Sequence, residues 1–339
     1  MQGKVTEKDS AAIEVYAGID VCKKWLDIAI HPYGPNNTAP PHGARLERCE
    51  RFENTGKGIK KLMRWLSSYD VALIVMEATG KLHRKAHEML HHASFAVAIV
   101  NPLRSRLFAE AVGKLAKTDK IDAGCLALMA ASLKPAAVAP RPELMENLHE
   151  LLRARQALVD ERTAFLNRIA ACALAFVKRE FTRQQATLAA SIARIEKEIA
   201  RLIKTDPGLE RRYKIVLSIP GVGPVAAAAL VIELSELGAC SAKQAAMLAG
   251  LAPIACESGE SKGARHIRGG RASVRRGIYM AAVSAISHNK SLKAFYDHLI
   301  AAGKLPKVAL TAVMRKLVVI ANTLITQDRF WQDEAPKGA

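Results

Sequence analysis

No run of about 18 apolar residues occurs in this 339-residue chain, so no membrane-spanning helix is expected. The first ten residues, MQGKVTEKDS, contain no apolar signal core, so no secretory leader is expected either. The six cysteines (Cys22, Cys49, Cys125, Cys172, Cys240 and Cys256) form no C-x-x-C pair. Neither a zinc site nor a disulfide framework is signalled, and most are expected to be small buried thiols of a reducing compartment. Aromatics make up only 5% of the residues, so the core must be aliphatic and alanine-rich. No repeat of solenoid period is present. Acid is short as well: 32 Asp and Glu face 50 Lys and Arg, a formal net charge of +18. In a chain with a soluble pattern, that surplus points to a polyanionic partner, nucleic acid before membrane.

What is present centres on 117–123, KTDKIDA. It opens an alanine-rich run over 121–133 with Ile121, Leu126, Leu128, Met129 and Leu133, a composition that favours helix. On a helix, Asp119 and Asp122 share one face, where like charges repel unless a cation separates them. Lys117 and Lys120 are candidates for that cation, and a divalent metal is a better one. Taken alone, the pair is explained by a cap at Thr118 or Asp119 and a solvated first-turn acid. Two upstream carboxylates shift the balance. Segment 15–19 (VYAGI) reads as a buried strand ending at Asp20, and 71–76 (VALIVM) as another ending at Glu77. The C-terminal edge of such strands is where open α/β folds place their chemistry. Asp20, Glu77, Asp119 and Asp122 form a four-carboxylate set suited to magnesium or manganese. Two such ions about 4 Å apart clamp an in-line phosphoryl transfer.

Along the chain, 1–12 reads as disordered, 15–30 as a strand pair, 31–43 as a loop and 45–52 as a third strand. A short amphipathic helix is expected over 58–66, a strand over 71–76, a helix over 81–92, a strand over 95–100 and a helix from Pro102. Three strands followed by helix, strand, helix, strand is the order of the ribonuclease-H-like fold. The Pro-rich stretch 135–142 marks a domain boundary. A long helix is expected over 144–177. Leu188, Ile192, Ile195, Ile199 and Leu202 then repeat at coiled-coil spacing, so 141–208 reads as an antiparallel helical hairpin capable of dimerising. An ordinary bundle is the plainer alternative.

Residues 217–234 contain Ile219-Pro220-Gly221-Val222-Gly223-Pro224 between two helical patterns, a helix-hairpin-helix signature. Gly221 and Gly223 would let backbone N–H groups approach a phosphate, or would simply make a tight turn. Residues 250–276 form a glycine-rich basic segment with Lys262, Arg265, Arg268, Arg271, Arg275 and Arg276, suited to a phosphate backbone. Ser258, beside Gly259, is either a plain loop serine or a nucleophile whose transition state the nearby cations stabilise. Helices are expected over 278–288 and 307–326, with a disordered tail from 333.

These motifs together carry a resemblance. With GID at 18–20, EATG at 77–80, KTDKIDA, IPGVGP at 219–224, GLAP at 250–253, Ser258-Gly259, Gly303-Lys304 and Arg315-Lys316-Leu317, the chain resembles the DEDD insertion-sequence transposases of the IS-one-ten group, also called bridge recombinases. The likeness spans nearly the whole chain. It implies α/β plus all-α architecture: a RuvC-like, ribonuclease-H-fold domain over 13–140, a coiled-coil hairpin over 141–208 and a mainly helical transposase domain over 209–330. It implies magnesium, or manganese, held by Asp20, Glu77, Asp119 and Asp122, and attack by Ser258 on a DNA phosphate to give a phosphoserine intermediate. It further implies donor and target DNA as partners, a bridge RNA that selects both, composite sites in a homo-oligomer, and a bacterial cytoplasmic location with nucleoid association when active. Many members carry two serines before the glycine. Here Glu257 takes the first position, leaving Ser258 as the nucleophile and Ser261 in reserve. Two other readings stay open: a metal-dependent junction resolvase or nuclease in which water attacks, and a basic architectural protein with no chemistry.

Overall fold

The computed structural model describes residues 14–33, 48–114, 116, 118–255, 257–258, 261–263 and 265–332. The expected disordered ends, most of the 31–43 loop, and Lys117 lie outside the described residues. The chain separates into two compact units, Met1–Arg141 and Pro142–Ala339.

The first unit is built on β1 (Glu14–Val21), β2 (Trp25–Tyr33), β3 (Arg48–Glu53), α1 (Gly56–Leu66), β4 (Val71–Glu77), α2 (Arg84–His92), β5 (Val97–Val100), α3 (Pro102–Ala111) and α4 (Asp119–Leu133). One five-stranded sheet runs in the order β3-β2-β1-β4-β5. β2 pairs antiparallel with β1 and β3, while β1–β4 and β4–β5 are parallel. This is a mixed α/β unit with the expected element order. Alternation along β1 divides its residues between two layers. Ala17, Ile19 and Val21 join Ile59, Leu62, Leu66, Ala86 and Leu90 beneath α1 and α2. Tyr16 joins Leu126 and Met129 of α4 on the opposite face. Small residues on α4 (Ala123, Gly124, Ala127, Ala130 and Ala131) are buried there, so that helix lies close to the strands.

The second unit begins with α5 (Glu143–Ala171) and α6 (Ala175–Ile203). The expected helix over 144–177 is therefore two helices, since Cys172 and Leu174 are extended and Val177 belongs to α6. No Gly or Pro marks that turn. The two helices run antiparallel, with Arg155 paired to Glu196 at 2.7 Å and Phe165 edge-on to Phe181. Next come α7 (Pro207–Leu217), α8 (Pro224–Glu233), α9 (Ala242–Leu248), β6 (Pro253–Ile254), β7 (Glu257–Ser258), β8 (Ser261–Lys262), β9 (His266–Ile267), α10 (Ala272–His288), α11 (Lys290–Ala301) and α12 (Pro306–Thr326).

One apolar core includes Leu148 and Leu152 of α5, Ile199 and Ile203 of α6, nearly all of α8, and the inner faces of α10 and α12. The base of the hairpin and the C-terminal helices are thereby one packed body rather than separately cored pieces. By length and apolarity alone α12 could cross a membrane, but half of it is buried, and Leu317, Val318, Ala321 and Leu324 belong to this core. It is a core helix. Two further expectations need correction, and two helices were not foreseen. α10 starts at Ala272 rather than 278, so Arg275 and Arg276 are helical. α9 and α11 carry signals that sequence reasoning passed over, a capping box at Ser241 and Gln244 and a side-chain cap at Asn289. Finally, of the described cysteines only Cys125 is fully buried.

Candidate active site

Gly18 sets the geometry. A β-carbon there would lie 2.2 Å from the carbonyl oxygen of Ala123 and 2.2 Å from the amide nitrogen of Ala127, so only glycine admits α4 against β1. Two residues further along the same face, Asp20 reaches the sheet edge half-buried and accepts a hydrogen bond from the Val21 amide at 2.9 Å. The close approach of α4 delivers its first turn to the same edge. Thr118 caps that turn by accepting from the Ile121 amide, which leaves Asp119 and Asp122 without capping duty. Glu77 is the last residue of β4, and its carboxylate accepts a hydrogen bond from the Ser105 hydroxyl of α3 at 2.5 Å.

Asp20 senses the other three carboxylates. Asp20 is raised to about 6, first by burial, then by the negative charge of Asp122, with smaller contributions from Asp119 and Glu77; the Val21 hydrogen bond opposes the rise. The rise comes first from burial of a carboxyl and only then from the other acids beside it. Glu77, Ser105, Arg106, Lys114, Asp122 and Cys125 are among the residues lining a cleft of about 170 Å³.

Lys117 and Lys120 are the side-chain cations expected between Asp119 and Asp122, with a divalent metal the better candidate. Lys117 lies outside the described residues, and the partner observed for Asp119 is Arg51, 68 residues away on β3, at 2.8 Å. Arg51 also grips Asp27 with two bonds, at 2.8 and 3.0 Å. Asp27 is directly opposite Asp20 in the β1–β2 ladder, and Arg51 directly opposite Asp27 in the β2–β3 ladder. Sequence reasoning missed Asp27, Arg51 and Ser105. Alternation from Ala29 back to Asp27 was the available signal for a charge on the inner face.

Among the described residues, no three His, Cys, Asp or Glu side chains converge closely enough to hold an ion as they stand. Asp119 is turned to Arg51 and Glu77 to Ser105. The donor set nevertheless suits a hard divalent cation. All donors are carboxylate oxygens, two of them on one helical turn, and Asp20 is short of positive charge. Asp20, Glu77, Asp122 and Asp119 are the residues that would hold it.

In the second unit, the backbone of Ser258 lies in an antiparallel hairpin, opposite Ser261 and bounded below by the β6–β9 pair. The side chains of Glu257, Ser258, Ser261 and Lys262 lie outside the described residues. The basic positions divide. Arg265 and Arg268 are exposed. Arg271 donates to the Glu233 carbonyl and the Glu236 carboxylate, both at 2.7 Å, a role in packing. Arg275 donates to the Gly269 carbonyl, and Arg276 pairs with Asp160 of α5 at 3.2 Å. Gly221 has φ +92°, and a β-carbon on it would meet the Ala285 Cα at 2.4 Å, so this glycine serves the approach of α10. Gly223 faces open space at the start of α8.

Two family models match. Residues 17–177 fit a DEDD model described as a transposase, and residues 213–297 fit one described as the transposase IS116/IS110/IS902 family. The chain is also similar to the pilin gene-inverting protein of Moraxella bovis, 29% identical over 330 residues, covering 93% of this chain and 97% of the relative. The pilin gene-inverting protein of Moraxella lacunata matches with the same identity and coverage.

Proposed function

This chain belongs to the IS116/IS110/IS902 family of transposases, and from that we propose that it cuts and rejoins DNA with two devices, a metal-binding carboxylate site and a serine nucleophile. The observation that carries the reading is the raised proton affinity of Asp20 among Glu77, Asp119 and Asp122 at the sheet edge. Four acids gathered at one edge, two on strands and two on the helix packed over them, are a stability liability that a function offsets. Their relatives' name, gene-inverting, supports rejoining rather than cleavage alone, since inversion of a segment needs both.

A divalent ion bound there would neutralise charge developing on the phosphoryl group and activate the attacking hydroxyl. The chain's own residues do the rest. Ser105 fixes the direction of the Glu77 carboxylate, and Thr118 fixes the first turn of α4 so that Asp119 and Asp122 face the edge. Ser258 Oγ forms a bond to phosphorus as the strand's ester oxygen departs, the serine proton passing to a basic group. The reverse attack by a second strand's hydroxyl releases the serine and seals the new junction. The basic arm around Ser258, including Arg265 and Arg268, holds the DNA backbone near the serine. A structured bridge RNA encoded beside the gene selects donor and target by pairing, and the surplus of 50 basic over 32 acidic residues supports binding so much phosphate. Protomers assemble so that the serine of one serves the carboxylates of another.

The test is a denaturing-gel assay of purified protein with donor and target DNA, with and without that RNA. A covalent protein–DNA adduct that forms only with RNA and Mg²⁺, and disappears in Ser258→Ala, is expected. Mixing Ser258→Ala with Asp119→Ala protein should recover part of the activity through mixed assemblies. Metal-dependent cleavage with no adduct would instead identify a nuclease or junction resolvase. Binding without cleavage, indifferent to the four carboxylates, would identify an architectural protein.

A further inference from the structure

Arg51 holds two carboxylates at once. Its Nε and Nη2 take both oxygens of Asp27, and Nη2 also donates to Asp119 at 2.8 Å. The two partners differ. The Asp27 side chain is 6% exposed, whereas that of Asp119 is 57% exposed. The guanidinium lies over the Trp25 ring, 5.9 Å from its centroid, on the same strand pair. Asp27 is thus a fixed anchor and Asp119 a removable partner.

We propose that Arg51, braced by buried Asp27, is a positioning residue that shares the Asp119 carboxylate with the metal, holding it at the mouth of the site until a divalent cation takes it over. This rests on the metal reading given above. Without an ion, four acids at one edge repel, and Arg51 neutralises the outermost. When Asp119 turns to an ion, Arg51 gives up one bond of three. Its two bonds to Asp27 remain, so no buried carboxylate is left unpaired. The vacated Nη2 hydrogen is half in water, which replaces the lost acceptor at little cost. The exchange is therefore reversible, and Arg51 lowers metal affinity while keeping the empty site ordered.

The experiment is calorimetric titration of the full-length protein with Mn²⁺, with thermal melts to verify folding. Arg51→Gln alone strands Asp27, so the main variant is the double substitution Asp27→Asn with Arg51→Gln. It leaves the net charge of the site unchanged, so a simple charge effect predicts no difference. The double variant is expected to bind Mn²⁺ roughly fivefold more tightly, the scale of a largely exposed ion pair. In an Asp119→Asn background the same double substitution should change affinity by less than about twofold, because the shared carboxylate is gone. Arg51→Lys, which keeps the charge but loses the forked geometry, should fall between. Unchanged or weaker binding by a folded double variant overturns the inference, as does an equal gain in the Asp119→Asn background. If the unsubstituted protein binds no Mn²⁺, the metal reading fails and this inference falls with it. If it binds and the double variant does not differ, only the sharing by Arg51 is lost.

Discussion

Gly18 of β1 and Ala123 of α4 meet backbone to backbone: a β-carbon on Gly18 would lie 2.2 Å from the Ala123 carbonyl oxygen. The carboxylate set depends on that contact, because Asp119 and Asp122 ride on the helix it admits. Gly18→Ala should push α4 outward, at a cost of about 3 kcal/mol or more for such overpacking. Thermal melts check the stability. Any folded fraction should also lose metal affinity, as Asp20 and Asp122 separate.

Asp20 gives the protein a pH signature. Its folded value of about 6 lies above the ordinary range for aspartate. The folded state therefore binds this proton more tightly than the unfolded chain. The associated stability is complete below about pH 4 and lost as pH rises through about 6. Asp20→Asn should melt above the parent at pH 7, by on the order of 1 kcal/mol after solvent screening, and match it near pH 4. Mg²⁺ should narrow the gap at pH 7 by stabilising the ionised parent. A pH-independent difference between the two would mean that Asp20 does not titrate in this window.

The two glycines of the α7–α8 turn should separate in their effects. Gly221→Ala combines a left-handed backbone with a clash against Ala285, and should cost about 2–3 kcal/mol. Gly223→Ala meets nothing within reach and should cost less than about 1 kcal/mol. Chemical denaturation measures both. If Gly223 admits a phosphate, its substitution should weaken DNA binding without lowering stability.

Arg268 and Arg271 should also separate. Arg268→Ala should reduce the slope of log affinity against log salt by about 0.9, the loss of one phosphate contact, with no change in melting. Arg271→Ala removes a donor from Glu236 and from the Glu233 carbonyl, and should cost roughly 1–2 kcal/mol of stability. Salt titrations of DNA binding, paired with melts, distinguish a contact residue from a packing residue.

Local pattern determined much of this protein. The runs VYAGI and VALIVM read as buried strands and are strands, and they place Asp20 and Glu77 at or beside strand ends. Alanine-rich composition favours α4, and with Thr118, one of two candidate caps, as its N-cap, Asp119 and Asp122 fall on its first turn. The order of these elements, and the excess of positive charge, are likewise written in the residues themselves. What the sequence left open concerns partners distant along the chain. The break at Cys172–Leu174 has no Gly or Pro, so nothing local distinguishes it from continuing helix; the packing of α5 on α6 decides it. Arg271 and Arg268 look alike in a basic run, and only the fold brings Glu236 to one of them. Lys117 and Lys120 adjoin Asp119 in sequence, yet Arg51 holds it, because two strand ladders carry Asp20, Asp27 and Arg51 into one row beneath α4. Hydrophobic periodicity specifies which face a residue occupies, since that depends on neighbours a few positions away. Charge pairing depends on register across strands and on how closely a helix can approach them, and those are settled only when the whole unit packs.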